Sequence, residues 1–407
     1  MNDENICIIG LGRVGLPLSL AFAEAGFRVF GIDIDVNVIK KLEQKQMPFM
    51  EKGAENLLKK HTNTNFFPTN DYKFINDSEY IIITLGTPVD EHLNPNYDQI
   101  ENILPILKRY IKKDQLIILR STIAPGTTEL IKDYLENNTD LKAEKDFYLA
   151  FCPERIAEGN ALQEIKEVPQ IIGGIGKKSS ESAAALFKNI AKEYIVSDAK
   201  SAELAKIFSN MFRYINFAIA NEFAILAMEH KKNIYEILEL VNKNYKRGGV
   251  AQPGFTAGPC LYKDGFFLLN NIPFNELISA SWRINETLPL YLLNKIKELT
   301  DLKNKKVAIL GLTFKKNIDD TRNSLAFKLK KAFVREQSNV VLHDPFVREY
   351  NTDLATLLKD ANIIVIATNH DEYSKLNKSF LNMYVGKNSI ICDVWNVTKE
   401  NKIIYTL

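Results

Sequence analysis

Cysteine is scarce in this sequence and never paired. Cys7, Cys152, Cys260 and Cys392 are the only four in 407 residues, and none belongs to a CxxC. Such spacing excludes a disulfide framework and leaves no zinc-type ligand cluster, so no metal site is expected. Long apolar runs are also missing. The stretch FAIANEFAILAM is interrupted by Asn221 and Glu222, short of the ~18 apolar residues a membrane span requires. The opening MNDENICIIG enters a strand-like run directly, without the basic and apolar segments of a signal peptide. A cytoplasmic chain with no membrane partner is expected. An excess of one charge is lacking too: 52 basic and 50 acidic side chains leave a net charge of +2. That balance supplies no field for a polyanion and argues against nucleic acid as a partner. No Gly, Pro or Gln bias marks a disordered segment.

What is present is a globular composition, 46% hydrophobic and 25% charged, in a chain long enough for two or three domains at about 150 residues each. Residues 1–198 alternate short β-branched runs (NICIIGLG, FRVFGIDID, YIIITLGTP, QLIILRST, FYLAFCPE, PQIIGG) with amphipathic stretches. These runs read as buried parallel strands with crossover helices, the doubly wound α/β pattern. From Ser201 to His230 the chain has no Gly or Pro and keeps a helical apolar period, which predicts one long helix inside a helical region spanning 199–300. The loop KRGGVAQPGFTAGPCLYKDG interrupts that region. Strand and helix alternation returns over 301–407 with KVAILGLTF, NVVLHDPF, NIIVIATN and SIICDVW, predicting a second, smaller parallel sheet without a glycine fingerprint.

Gly10, Gly12 and Gly15 of GLGRVG follow a strand and open a helix, the context in which glycines allow a pyrophosphate to approach a helix N-terminus. Asp33 ends the next strand about twenty residues on, placed to accept hydrogen bonds from a ribose diol and to repel a 2′-phosphate. NAD is therefore the expected cofactor. Asp35 reads as a solvated loop acid. Along the long helix Glu203, Lys206, Asn210, Arg213 and Asn216 or Asn221 recur on one face, either as a solvated outer side or as the lining of a cleft. Cys260 stands on the loop among small residues with Asp264 close behind. A thiol there serves as a nucleophile if a cation such as Lys206 lowers its pKa, and is otherwise an ordinary loop residue.

The succession GLGRVGLPLSLAFAEAG, GTPVDE, RSTIAPGTT, CPERIAEG, AELAKIFSN, PGFTAGPCLYKD and LGLTFKKNIDDTRNS resembles the UDP-glucose/GDP-mannose dehydrogenase family over essentially the whole length. The resemblance implies two Rossmann-like doubly wound domains joined by a central helical dimerisation region. It also implies NAD-dependent oxidation of a CH2OH group on a UDP-activated sugar to a carboxylate, in two hydride transfers. Cys260 then carries a thiohemiacetal and next a thioester, which water cleaves. Lys206 and Asn210 stabilise the alkoxide and oxyanion. Asp264 and Glu154 manage protons and activate the water, with Thr122 positioning it. The cofactor is implied to rest on Gly10, Gly12, Val14, Gly15, Asp33 and Thr87, with Glu158 near the nicotinamide and Lys263 as a further contact. Arg322 reaches the NAD pyrophosphate. Arg213, Phe255, Gly258 and Lys315 are implied substrate contacts, Lys315 to a phosphate. Arg247 enters the neighbouring subunit's sugar site, so a homodimer or higher homo-oligomer completes the centre.

CPERIAEG, PQIIGG and FSNMFRYINFAIANE look closer to the UDP-N-acetylmannosamine and UDP-N-acetylglucosamine dehydrogenases, and Arg213 suits an acetamido carbonyl. Such an enzyme supplies aminouronic acid precursors for surface polysaccharide. The cysteine loop AGPC departs from both subgroups, and the Lys263-Asp264 ending after it is the one typical of UDP-glucose and GDP-mannose enzymes, leaving a UDP-glucose 6-dehydrogenase as the alternative. A two-electron hydroxyacid dehydrogenase and an inactive nucleotide-sugar sensor are the remaining readings.

Overall fold

The computed structural model describes residues 4–90, 94–246, 249–269 and 276–407. They form two compact units, one running to Ser209 and taking in the short segment from Phe266, the other holding Asn210–Gly265 and the chain on to Leu407.

In the first unit strands and helices alternate as β1 Asn5–Ile9, α1 Gly15–Glu24, β2 Arg28–Ile32, α2 Val36–Glu43, α3 Ala54–His61, β3 Phe66–Thr69 and β4 Tyr80–Ile83. Then come α4 Asp98–Tyr110, β5 Gln115–Leu119, α5 Thr127–Asn138, β6 Phe147–Phe151, α6 Ala161–Glu167, β7 Gln170–Gly174, α7 Lys177–Phe187 and β8 Tyr194–Asp198. The eight strands lie in the order β3-β2-β1-β4-β5-β6-β7-β8. Strand side chains alternate between faces, and both faces are covered. Ile6 and Ile8 pack with Leu16, Leu20 and Phe22 of α1, whereas Cys7 and Ile9 face Ile103 and Leu107 of α4. Each such aliphatic side chain contributes roughly 1.5–3 kcal/mol when fully buried. The expectation of a parallel sheet holds with one difference. β7 runs antiparallel to β6 through the pairs Ala150↔Gly174 and Phe151↔Gly173 before parallel pairing resumes with β8.

The long helix α8, Ala199–Glu229, spans 31 residues, and no described helix is long and apolar enough to cross a membrane. Ile234–Asn242 (α9), the short turns Leu261–Asp264 (α10) and Phe266–Leu269 (α11), and Glu276–Lys297 (α12) follow. The second sheet is built from β9 Lys306–Leu310, α13 Leu325–Arg335, β10 Asn339–His343, α14 Leu354–Leu358, β11 Ile363–Ile366, α15 Lys378–Tyr384, β12 Ile390–Asp393 and β13 Ile404–Thr406. Its order is β10-β9-β11-β12-β13, with β13 antiparallel at the edge. Val307, Ile309 and Val365 pack against α12 and α13, and Ala308, Leu310 and Ile364 against α14 and α15. This is again a doubly wound arrangement.

Candidate active site

In the first unit the strand order reverses between β1 and β4, which in an open α/β sheet opens a crevice at the strands' C-terminal ends. The glycine turn sits there, each glycine for its own reason. Gly10 has φ +97, and a Cβ on Gly15 would fall on the carbonyl oxygen of Gly10. Those two are demanded by the fold. Gly12 is not, because a Cβ there meets nothing within 4 Å. A glycine at that point leaves open space on the turn. α1 starts at Val14 with no side-chain cap and no acid in its first turn, so its positive end is left for an anion. Asp33 accepts the Leu11 N–H at 2.8 Å and the Asp35 N–H at 2.9 Å, which ties the acid to the same turn. A dinucleotide fits this cradle. Asp35, read as a loop acid, caps α2 through the Asn37 N–H.

Around the crevice Thr87 is buried and donates its hydroxyl to the Thr122 carbonyl. Glu154 is buried against a residue that sequence reasoning passed over. Arg120, wholly buried, donates Nε to Glu154 Oε2 at 2.8 Å and reaches the Cys152 carbonyl and Gln170 Oε1 at 3.1 and 3.0 Å. The Arg155 and Ile156 N–H groups occupy Glu154 Oε1. The loop onward to Glu158 is fixed by Glu51, whose carboxylate accepts the Gly159 and Ala161 N–H groups at 2.9 and 2.8 Å. Glu158 lies 3.7 Å from Arg13 Nε. On α8, Glu203 is buried and holds the start of α5, accepting from the Thr128 N–H and hydroxyl. Burial pushes its carboxyl up, an effect only partly offset by those bonds. Lys206 follows, half-buried.

In the second unit Cys260 is exposed while Cys7, Cys152 and Cys392 are buried. Burial raises all three of those thiols, Cys152 to about 12, so they stay protonated and inert at neutral pH. The Cys260 carbonyl accepts the Lys263 and Asp264 N–H groups at 3.1 and 3.0 Å, forming the turn α10. That turn buries Asp264 completely. Its Oδ2 accepts from Asn210 Nδ2 at 2.6 Å, and Lys263 Nζ lies 3.1 Å from Oδ1. Ahead of the cysteine, Asn221 on α8 pairs with both backbone groups of Gly254 and with Asn285, holding the loop where Phe255 is buried. Gly258 has φ +108, and a Cβ there would strike Phe314.

The helical polar row therefore divides. Glu203 and Asn221 serve packing, Asn210 serves Asp264, and Arg213 is exposed. Lys315 is half-buried on the segment after β9. Arg322 is exposed and lies 2.6 Å from Asp320. Arg247 falls outside the described residues.

Residues 4–191 match the NAD binding domain of the UDP-glucose/GDP-mannose dehydrogenase family, residues 200–287 its central domain and residues 308–400 its UDP binding domain. The UDP-N-acetyl-D-mannosamine dehydrogenase of Pyrococcus horikoshii is 34% identical over 404 residues, 97% of this chain and 96% of that one. The solved structure of the Pyrococcus horikoshii enzyme aligns with a TM-score of 0.91. The UDP-N-acetyl-mannosamine dehydrogenase of Staphylococcus aureus aligns at 0.88 with 29% identity over 98% of this chain and 96% of that one. A UDP-glucose dehydrogenase from Pyrobaculum islandicum aligns at 0.87 with 25% identity, covering 97% and 95%. With a dinucleotide cradle in one sheet and matches across all three of the family's domains, the chain belongs to the UDP-glucose/GDP-mannose dehydrogenase family and is an NAD-dependent nucleotide-sugar dehydrogenase.

Proposed function

We propose that the chain oxidises the C6 alcohol of a UDP-N-acetylhexosamine, UDP-N-acetylmannosamine first among them, to the uronate with Cys260 as covalent nucleophile. One alcohol, one water and two NAD give one carboxylate, two NADH and three protons. The observation that carries the reading is the Asp264 cluster, a fully buried carboxylate held by Asn210 and Lys263 one turn after an exposed thiol. NAD, which the Gly10–Gly15 turn and Asp33 would hold, would supply the hydride acceptor for both steps. The chain's own groups do the rest. Lys206, one helical turn before Asn210, stabilises the alkoxide. The Cys260 thiolate adds to the aldehyde carbon, and Asn210 has a second amide hydrogen to offer the oxyanion. Loss of the second hydride leaves a thioester. Water then forms the new C–O bond, the C–S bond breaks, and the thiolate is restored. Asp264 handles protons, while Glu154 with Thr122 orients the water.

We further propose a homodimer, supported by an apolar row on α8. Phe208, Phe212, Ile219, Phe223 and Leu226 share one face at helical spacing and are exposed, Phe212 at 71%. Apolar stripes of this kind mark interaction surfaces. The functional partition we propose is 1–198 for NAD, 199–300 for chemistry and dimerisation, and 301–407 for the UDP-sugar. A cytoplasmic setting suits the scheme, since it keeps Cys260 a thiol.

The names of the Pyrococcus horikoshii and Staphylococcus aureus relatives favour the acetamido sugar. The Lys263-Asp264 pair after the cysteine favours UDP-glucose as the second reading. Purified protein with UDP-N-acetylmannosamine, UDP-N-acetylglucosamine and UDP-glucose decides by NADH absorbance. NADH from an acetamido sugar at two per sugar is expected; NADH from UDP-glucose alone replaces the first reading with the second.

A further inference from the structure

Beyond β9 the chain does not enter a helix at once. Gly311, at φ +86, turns it into an irregular segment, Leu312 to Asn317, that carries Lys315. The segment leaves the end of β9 between its neighbours β10 and β11, where the second sheet's order reverses. Buried irregular backbone must find partners for its polar groups, and side chains from two other loops supply them. Asp344, just after β10, accepts the Leu312 and Thr313 N–H groups on Oδ2 at 2.6 and 3.2 Å and the Phe346 N–H on Oδ1 at 2.9 Å. Thr368, after β11, donates to the Thr313 carbonyl at 2.6 Å, and the Thr313 hydroxyl donates to the Lys315 carbonyl at 2.8 Å.

His370 closes the set. Its Nδ1 accepts the Asn317 N–H at 2.9 Å, and its Nε2 lies 3.0 Å from Asp344 Oδ2 and 3.2 Å from Thr313 Oγ1. A backbone amide can only donate, so Nδ1 is bare and the ring proton sits on Nε2, shared toward Asp344. Both residues are essentially sealed from solvent. On the outer side Lys316 Nζ and Asn317 Nδ2 reach Asp371 at 3.1 and 2.5 Å. The backbone on both sides of Lys315 is thereby tied to the fold.

We propose that His370 and Asp344 are positioning residues for the nucleotide sugar: Asp344 orients the ring, the ring holds the Asn317 N–H, and Lys315 is thereby presented to a substrate phosphate. This rests on the reading of Lys315 as a phosphate contact. Carboxylate and imidazole act here as they do behind a metal ligand, one fixing the tautomer and direction of the other. The histidine touches no substrate; it acts through the lysine.

The test uses the intact enzyme, with UDP binding by calorimetry and kinetics on UDP-N-acetylmannosamine and NAD varied separately. His370→Gln can still donate to Asp344 but offers Asn317 nothing, whereas His370→Asn keeps an acceptor at the Nδ1 position. Loss of the loop bond should weaken UDP binding and raise the sugar KM about tenfold, leaving kcat and the NAD KM within about twofold. His370→Asn should recover most of that loss. Lys315→Ala should raise the same KM, and adding His370→Gln to it should change nothing more, because the two act in series. An unchanged UDP affinity in Lys315→Ala overturns the phosphate reading and this inference with it. A loss in Lys315→Ala that His370→Gln does not share, or histidine variants that depress kcat and both KM values alike, overturns the positioning role and leaves Lys315 standing.

Discussion

Asn210 donates its side-chain amide to Asp264 at 2.6 Å, joining α8 to the turn that follows Cys260. Asp264 is fully buried, so each donor it has offsets a desolvation cost that would otherwise fall on a lone carboxylate. Asn210→Ala should lower stability by about 1.5–3 kcal/mol, the range for a hydrogen bond to a charged group. Asn210→Asp should do more harm at pH 8, where two carboxylates would face each other, and recover partly in acid as one of them binds a proton. Denaturant midpoints at both pH values check this. An Asn210→Asp protein as stable as wild type at pH 8 refutes the coupling.

Cys260 is exposed while the other three thiols are buried and raised. Cys260→Ser should therefore cut conversion to the acid by about a thousandfold or more, since a hydroxyl is a far weaker nucleophile and no thioester can form. Binding of NAD and of UDP should be kept. Full turnover with two NADH per sugar would end the covalent scheme.

Much of the framework that carries the candidate site was legible in the sequence because it rides on strong local signals. GLGRVG between a strand and a helix locates the cradle. The unbroken run from Ser201 to His230 gives α8 within a residue or two at each end. Three strands escaped for physical reasons. β3 contains Pro68, β8 is an edge strand exposed over most of its length, and β13 has three residues. None shows the buried β-branched run that marks a central strand. The antiparallel β7 was likewise hidden, because strand direction depends on the connection and not on the strand's own side chains. Long-range partners were out of reach as well. Nothing local pairs Arg120 with Glu154, Glu51 with Gly159, or His370 with Asn317. An arginine closing the apolar run LIILR was the one available hint, since a buried charge needs a partner.

Gly12 and Gly15 should separate cofactor binding from folding. Gly12→Ala meets open space, so its melting temperature should stay within about a degree or two of wild type, as expected for a substitution without steric conflict. Its NAD affinity should nevertheless fall at least about tenfold through crowding of the pyrophosphate. Gly15→Ala collides with the Gly10 backbone and should lose several degrees. Thermal melts with and without NAD distinguish them, and wild-type NAD affinity in Gly12→Ala contradicts the cradle.

The exposed row on α8 predicts an assembly that charge should disrupt. Phe212→Glu combined with Leu226→Glu sets two carboxylates into an apolar contact, and their burial costs several kcal/mol. Sedimentation should show a dimer for wild type and a monomer for the double variant. On the proposal that a homodimer completes the centre, activity should fall with it. A wild-type chain that sediments as a monomer at micromolar concentration rules out the dimer.

Asp344 should give the second unit an acid-sensitive stability. Burial by itself would raise this carboxyl, but the hydrogen bond from His370 and the N–H groups of Leu312 and Phe346 outweigh it, leaving the pKa below the ordinary 3.8. A folded-state pKa below the unfolded one means that the unfolded chain binds the proton more tightly. The stabilisation is therefore complete above the unfolded pKa and is lost as pH falls through the folded value. Asp344→Asn keeps an oxygen for the loop amides yet removes the titration. The stability gap between wild type and this variant should be constant from pH 6 to 8 at about 1.5–3 kcal/mol, the scale of hydrogen bonds to a charged group, and should narrow as pH drops below about 4. Denaturant unfolding across that range, followed by the fluorescence of Trp282 and Trp395, both in the same unit, measures the gap. A gap that widens in acid has the opposite sign and rejects the depressed pKa.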